Sequence, residues 1–206
     1  MLRKIVIGFF CLWSLSVNAE DKTLLVLGDS LSAGYGISLQ HGWVSLLQAR
    51  LDEQGYRYKV VNASISGDTT RGARARLAGL LGDVQPDITI VELGGNDGLR
   101  GISLEEMHDN LSAIIVELMQ SGSRVLLVPM TLPPNYGPVY IEKFRQTYDK
   151  LATSYDLVLG KFILEGIAEQ PELIQADGIH PVAGAQSQML DNLWPELKSM
   201  LEQTGL

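Results

Sequence analysis

The sequence predicts an α/β domain in three layers, with helices covering both faces of a five-stranded parallel sheet. Three observations carry this reading. Short runs dominated by apolar residues alternate with longer segments of helical periodicity. The runs are apolar on successive residues, the pattern of strands buried on both faces. Most of them give way to Gly, Asp, Asn or Ser, residues that take a chain from strand to turn. With 206 residues, 46% of them apolar and 19% charged, the chain can bury a sizeable core without disulfide or metal.

Each element follows from its own residues. Residues 24–27, Leu-Leu-Val-Leu, form the first strand. Residues 42–54 are predicted helical, with Trp43, Leu46, Leu47 and Leu51 on one face and Gly55 as the stop. Residues 58–62 make a second strand, and residues 71–81, rich in Ala, Arg and Leu, a helix. Residues 87–93 follow Pro86 as the third strand. Ser103-Leu104-Glu105-Glu106 is a capping box that opens a helix with Leu104, Met107, Leu111, Ile114, Ile115 and Leu118 as its apolar stripe; Gly122 ends it. Residues 124–129 are the fourth strand, 132–137 a loop, 139–155 a helix and 157–159 a short fifth strand. Residues 183–201 are predicted helical, with a kink or break at Pro195.

The first nineteen residues stand apart. Arg3 and Lys4 precede a mostly apolar run over 5–15, and Val17-Asn18-Ala19 offers a peptidase site. This is the pattern of a secretory signal cleaved after Ala19, too short to span a bilayer comfortably. The expectation is a mature domain of residues 20–206 in the periplasm or outside the cell. Removing the leader removes the only cysteine and takes the net charge from −8 to −10. An acidic chain without a basic cluster argues against nucleic acid as a partner and gives no pull toward anionic lipid. No later segment is a candidate membrane helix. With no surplus apolar helix face, a monomer is expected.

Ligands of open parallel sheets bind at the carboxyl ends of the strands. The residues there are Gly28-Asp29-Ser30, Ser66-Gly67-Asp68, Gly94-Gly95-Asn96-Asp97 and, near the C-terminus, Asp177-Gly178-Ile179-His180-Pro181. Singly, each has an ordinary role available: Ser30 as a cap, Gly67 and Asn96 in turns, His180 before a helix begun by Pro181. Together they supply an acyl-transfer site. Ser30 is the nucleophile and His180 the base that takes its proton. Asp177 can hold the other ring nitrogen from the same turn. Ser30 N–H, Gly67 N–H and the Asn96 amide are candidate oxyanion donors. His108 lies on the exposed side of its helix; His41 has no nearby carboxylate in sequence but is not excluded by spacing. Asp29, Asp68 and Asp97 are read as structural. The Gly-x-Ser-x-Gly elbow is absent around Ser30.

These blocks, "GDSLS", "SGDT", "GGND" and "DGIHP", resemble those of the SGNH hydrolases, also called GDSL lipases and esterases. The similarity covers essentially the whole mature chain. It extends to bacterial periplasmic acyl-CoA thioesterases with protease, lysophospholipase and arylesterase activity, which the chain resembles through "VVNASISGDT", "VELGGNDGLRG" and "ADGIHP". The resemblance implies a flavodoxin-like sheet in strand order 2-1-3-4-5 and hydrolysis of acyl esters and thioesters without metal or cofactor. It also implies that the segment 98–103, which holds Gly98, Leu99 and Gly101, moves when an acyl chain binds; a plain connector is the alternative. Leu132, Pro133 and Tyr136 offer an apolar wall for that chain. The rival readings are a carbohydrate O-acetyl esterase using the same residues and a non-enzymatic binding protein of the same fold.

Overall fold

A computed structural model describes residues 21–203; the leader expected over residues 1–19 lies outside the described residues. Five strands, β1 (Lys22–Gly28), β2 (Tyr58–Asn62), β3 (Ile88–Glu92), β4 (Arg124–Val128) and β5 (Val158–Leu159), form one sheet in the order β2-β1-β3-β4-β5. All four pairings are parallel, with Leu24 opposite Val60 on one side and Ile88 on the other. Leu24 to Leu27 and Ile88 to Val91 are buried, as strands covered on both faces require.

Among the described residues seven helices flank the sheet, six between strands and the last after β5: α1 (Ser30–Ala33), α2 (Trp43–Glu53), α3 (Thr70–Asp83), α4 (Gly95–Leu99), α5 (Leu104–Gln120), α6 (Pro138–Tyr155) and α7 (Gln186–Gln203). Helix α2 packs on α7, while α3 packs on α5 and α5 on α6, which gives the two outer layers. Trp43, Phe144 and Tyr148 are the largest fully buried side chains. Two hydrogen bonds join these layers to the site edge. Trp43 N donates to Gln186 Oε1 at 3.0 Å, fixing the start of α2 against α7. Tyr148 Oη donates to Leu93 O at 2.8 Å, just past the end of β3.

The expected elements are present with small shifts, and three differ in kind. Thr69 caps α3 through Gly72 N, so that helix starts earlier than its apolar residues indicate and runs on to Asp83. The short helices α1 and α4 occupy stretches read as turns. The C-terminal segment opens with a 3-10 turn (Ala183–Ala185), and α7 then runs through Pro195 without a break. Pro195 and Asp191 are both exposed, so the Asp191 carbonyl that loses its usual donor faces water. Among the described residues no helix is long and apolar enough to cross a membrane.

Candidate active site

The strand order reverses between β1 and β3, and the crevice outside their carboxyl ends is where open α/β sheets bind ligands. Ser30 leaves β1 there and Asn96 leaves β3. At Gly28 a β-carbon would stand 2.6 Å from Ser32 Oγ and 2.8 Å from Glu92 Oε2, so only glycine fits at this crossing. Asp29 caps α1 by accepting from Leu31 N at 3.0 Å, which sets Ser30 in the first helical turn. Amides of a first turn have no acceptor within the helix, which leaves the Ser30 N–H facing outward from it.

The turn 175–180 brings the histidine to the serine. Ile174 and Pro181 form an antiparallel bridge, and Gln175 N donates to His180 O at 2.7 Å. Inside this loop Asp177 Oδ1 accepts from Ile179 N at 2.9 Å and from His180 N at 3.0 Å. Its Oδ2 lies 2.6 Å from His180 Nδ1, and His180 Nε2 lies 2.8 Å from Ser30 Oγ. Nδ1 therefore carries the proton, donating to Asp177, and Nε2 accepts from the Ser30 hydroxyl. Backbone donation from His180, then its ring and the Ile179 amide, hold the Asp177 carboxyl down to about 2. The Tyr35 ring lies against the imidazole with centroids 4.4 Å apart, and Gln175 Nε2 ties Tyr35 O to the same loop at 2.9 Å. Of the other described histidines, His41 is exposed on a 3-10 turn and His108 contacts Asp109.

Asn96 Nδ2 donates to Asp29 Oδ2 at 2.9 Å. Asp29 is buried, and burial raises its carboxyl to about 6 against the pull of the Leu31 and Asn96 donors. Behind it Glu92 is fully buried; its Oε2 accepts from Ser32 Oγ at 2.6 Å and Oε1 has no partner among the described residues. Burial, then the neighbouring Asp29 charge, push the Glu92 carboxyl well above the usual carboxylate range. Gly67 sits in the loop after β2, where Ile65 N donates to Gly28 O at 3.1 Å. Its φ of +78° is open to glycine at little cost. Arg100 Nη2 donates to Gly67 O at 2.7 Å.

Asp97 and Asp68 play the structural parts expected of them. Asp97 accepts from Thr70 N at 2.9 Å, tying α4 to the start of α3, and Asp68 receives the Arg76 guanidinium at 2.9 Å. The acyl-wall residues divide. Pro133 is exposed and Tyr136 half-buried, with Tyr136 Oη donating to Leu99 O at 3.1 Å. Leu132, however, is 4% exposed and packed in the core, and Gly98 is buried beneath it. Leu132 thus supports α4 from the core and is not an open wall, because the loop after β4 turns it inward; Gly98, expected in the moving segment, is a residue of α4 itself. Sequence reading missed Tyr35, Gln175, Glu92 and Arg100. Of these only Glu92, a charge inside an apolar strand, carried a signal.

A model of the GDSL-like lipase/acylhydrolase family matches residues 26–186, a span that contains all the residues above. The chain belongs to this family. Within the GDSL family it is 47% identical over 194 residues to esterase TesA of Pseudomonas aeruginosa, covering 94% of this chain and 96% of that protein. It is 42% identical to thioesterase 1/protease 1/lysophospholipase L1 of Escherichia coli, over 94% of this chain and 91% of that one. The psychrotrophic esterase EstA from Pseudoalteromonas, in a crystal structure inhibited by monoethylphosphonate, superposes with a TM-score of 0.84 at 37% identity, covering 88% of this chain and 100% of that one. As a GDSL family member with such relatives, the protein is an ester hydrolase.

Proposed function

We propose that the protein hydrolyses carboxylic esters and thioesters of fatty acyl chains through an acyl-enzyme on Ser30. The carrying observation is the continuous chain from Ser30 Oγ to His180 Nε2 at 2.8 Å and from His180 Nδ1 to Asp177 at 2.6 Å. Ser30 Oγ attacks the carbonyl carbon as its proton passes to His180 Nε2; Asp177 holds the ring and stabilises the imidazolium. The tetrahedral oxyanion rests against Ser30 N–H, Gly67 N–H and the Asn96 amide hydrogen that Asp29 does not use. Removing one such donor raises the barrier by ~3–4 kcal/mol. His180 then protonates the leaving alcohol or thiol, and water repeats the sequence to release the acid.

The acyl chain runs past Leu99 and Tyr136 toward Pro133, an apolar path on which each buried methylene contributes ~0.8 kcal/mol. The names of the relatives support ester, thioester and lysophospholipid substrates. Residues 1–19 serve as a secretory leader removed after Ala19, and the enzyme works in the periplasm as a monomer.

The test is turnover of p-nitrophenyl esters from acetate to palmitate by residues 20–206, beside Ser30→Ala. Loss of turnover in the folded variant, with rates that rise toward medium or long chains, is expected. A sharp optimum at acetate indicates a carbohydrate O-acetyl esterase instead, and unchanged turnover in Ser30→Ala removes the proposal. Exported protein is expected to begin at Glu20 by mass spectrometry.

A further inference from the structure

Arg100 stands at a junction that the catalytic reading does not use. It caps α4, its own N–H donating to Asn96 O at 3.1 Å, so its backbone is fixed to the residue that offers the oxyanion amide. Its side chain crosses to the loop after β2 and donates to Gly67 O. The next peptide N–H, that of Asp68, donates to Ile65 O at 3.0 Å. The Gly67–Asp68 peptide is thus held at both its oxygen and its nitrogen. Gly67 itself is the most permissive residue type and lies at positive φ. The Gly67 N–H belongs to the preceding peptide; with the Gly67–Asp68 peptide held, its direction is limited to what rotation at Gly67 itself allows.

We infer that Arg100 is a positioning residue of the oxyanion site, whose guanidinium holds the Gly67 N–H in register with the Asn96 amide. The inference rests on the catalytic reading above. Gly67 and Asn96 come from different crossovers, and Arg100 joins the helix of one to the carbonyl of the other. A hydrogen bond from a charged donor is shorter and about twice as strong as a neutral one. The positive charge of the guanidinium also favours the negative charge that develops on the substrate oxygen. A β-carbon at Gly67 would come within 3.3 Å of Arg100 Nη2, so the close approach depends on glycine on one side and arginine on the other. Arg100 is exposed, so its removal leaves the buried core in place.

The experiment compares Arg100→Ala and Arg100→Lys with Ser30→Ala and Asn96→Ala on p-nitrophenyl butyrate, each checked for fold by circular dichroism. Arg100→Ala is expected to lose about 10- to 100-fold in kcat with KM changed less than about twofold. Arg100→Lys, which keeps the charge but not the planar fork, is expected in between. Guanidinium chloride below denaturing concentration should restore part of the Arg100→Ala rate and leave Ser30→Ala silent. A kcat within about twofold of the parent in Arg100→Ala, while Ser30→Ala and Asn96→Ala are inactive, overturns this inference and leaves the catalytic reading standing. A raised KM with kcat kept also overturns it, by assigning Arg100 to substrate binding. Equal loss in both Arg100 variants with no guanidinium rescue overturns it as well. Turnover kept in Ser30→Ala overturns the reading beneath it.

Discussion

Asn96 Nδ2 donates to Asp29 Oδ2 at 2.9 Å, joining the residue beside Ser30 to a side chain 67 positions away. The same carboxylate caps α1 through its other oxygen, so one buried group orients both the serine turn and the amide proposed as an oxyanion donor. An asparagine amide has two donor hydrogens and can flip about its last torsion. A carboxylate that only accepts removes that ambiguity.

Asp29→Asn tests this directly. The replacement keeps an oxygen that can cap Leu31. Its NH2 group then faces the Asn96 NH2, two donors without an acceptor. The expected result is a kcat reduced about tenfold or more, with KM little changed and a native circular dichroism spectrum. A kcat equal to the parent's would show that Asn96 needs no orienting partner.

Asp177→Asn separates turn geometry from charge. Oδ1 of Asp177 accepts the Ile179 and His180 amides, and an asparagine oxygen can do the same. What is lost is the acceptor for His180 Nδ1–H, and with it the correct tautomer. The expected loss is about 100- to 10,000-fold in kcat with the melting temperature nearly unchanged. A drop of less than about threefold would mean that the Nδ1 contact is not used in turnover.

Much of this was legible in the sequence, and what was not has a physical reason. The five strands announce themselves because burial on both faces demands consecutive apolar residues. Ser30, Asn96, Asp177 and His180 could be picked out because they follow strands or share one turn. Helices α1 and α4 escaped because four or five residues are too few to show a 3.6-residue period. Arg100 and Tyr35 escaped for another reason: each acts on a residue from a different crossover, and spacing along one segment carries no trace of such a pairing. Leu132 was assigned to the cleft on hydrophobicity alone, which does not tell a groove from a core.

The pH profile should carry two titrations. The base must be neutral to take the Ser30 proton, so activity falls on acidification. Asp177, held to about 2, stays ionised throughout and does not set this limb. Asp29, raised to about 6 by burial, protonates as the pH falls through that value and weakens its hold on Asn96. The acid limb of kcat is therefore expected to be steeper than a single protonation, and Asp29→Asn to return it to a slope of one. The linkage sign for stability is opposite to that for activity. A carboxyl raised in the folded state stabilises it fully below 3.8, and that contribution is lost as pH rises through about 6. Asp29→Asn should therefore gain in melting temperature relative to the parent between pH 4 and pH 7, measured by calorimetry. A parent limb with a slope of one would show that Asp29 does not titrate with the base.

Gly98→Ala probes how the core supports the oxyanion helix. A β-carbon at Gly98 would lie 2.5 Å from Leu132 Cδ2 and 2.9 Å from Phe144 Cε2. Leu132 and Phe144 are both core residues, so neither can swing out to make room. Overpacking of this kind costs about 1–3 kcal/mol. The alternative to that cost is a shift of α4 away from the core, and α4 carries Asn96 two residues before Gly98 and ends on the Arg100 cap. Both relaxations have a readout. The variant is expected to melt several degrees lower and to lose kcat by more than the change in folded fraction explains. A loss of stability with full kcat in the folded protein would show that Leu132 and Phe144 yield and that α4 keeps its place. Unchanged stability and rate together would mean that the contact between Gly98 and Leu132 is looser than these distances require.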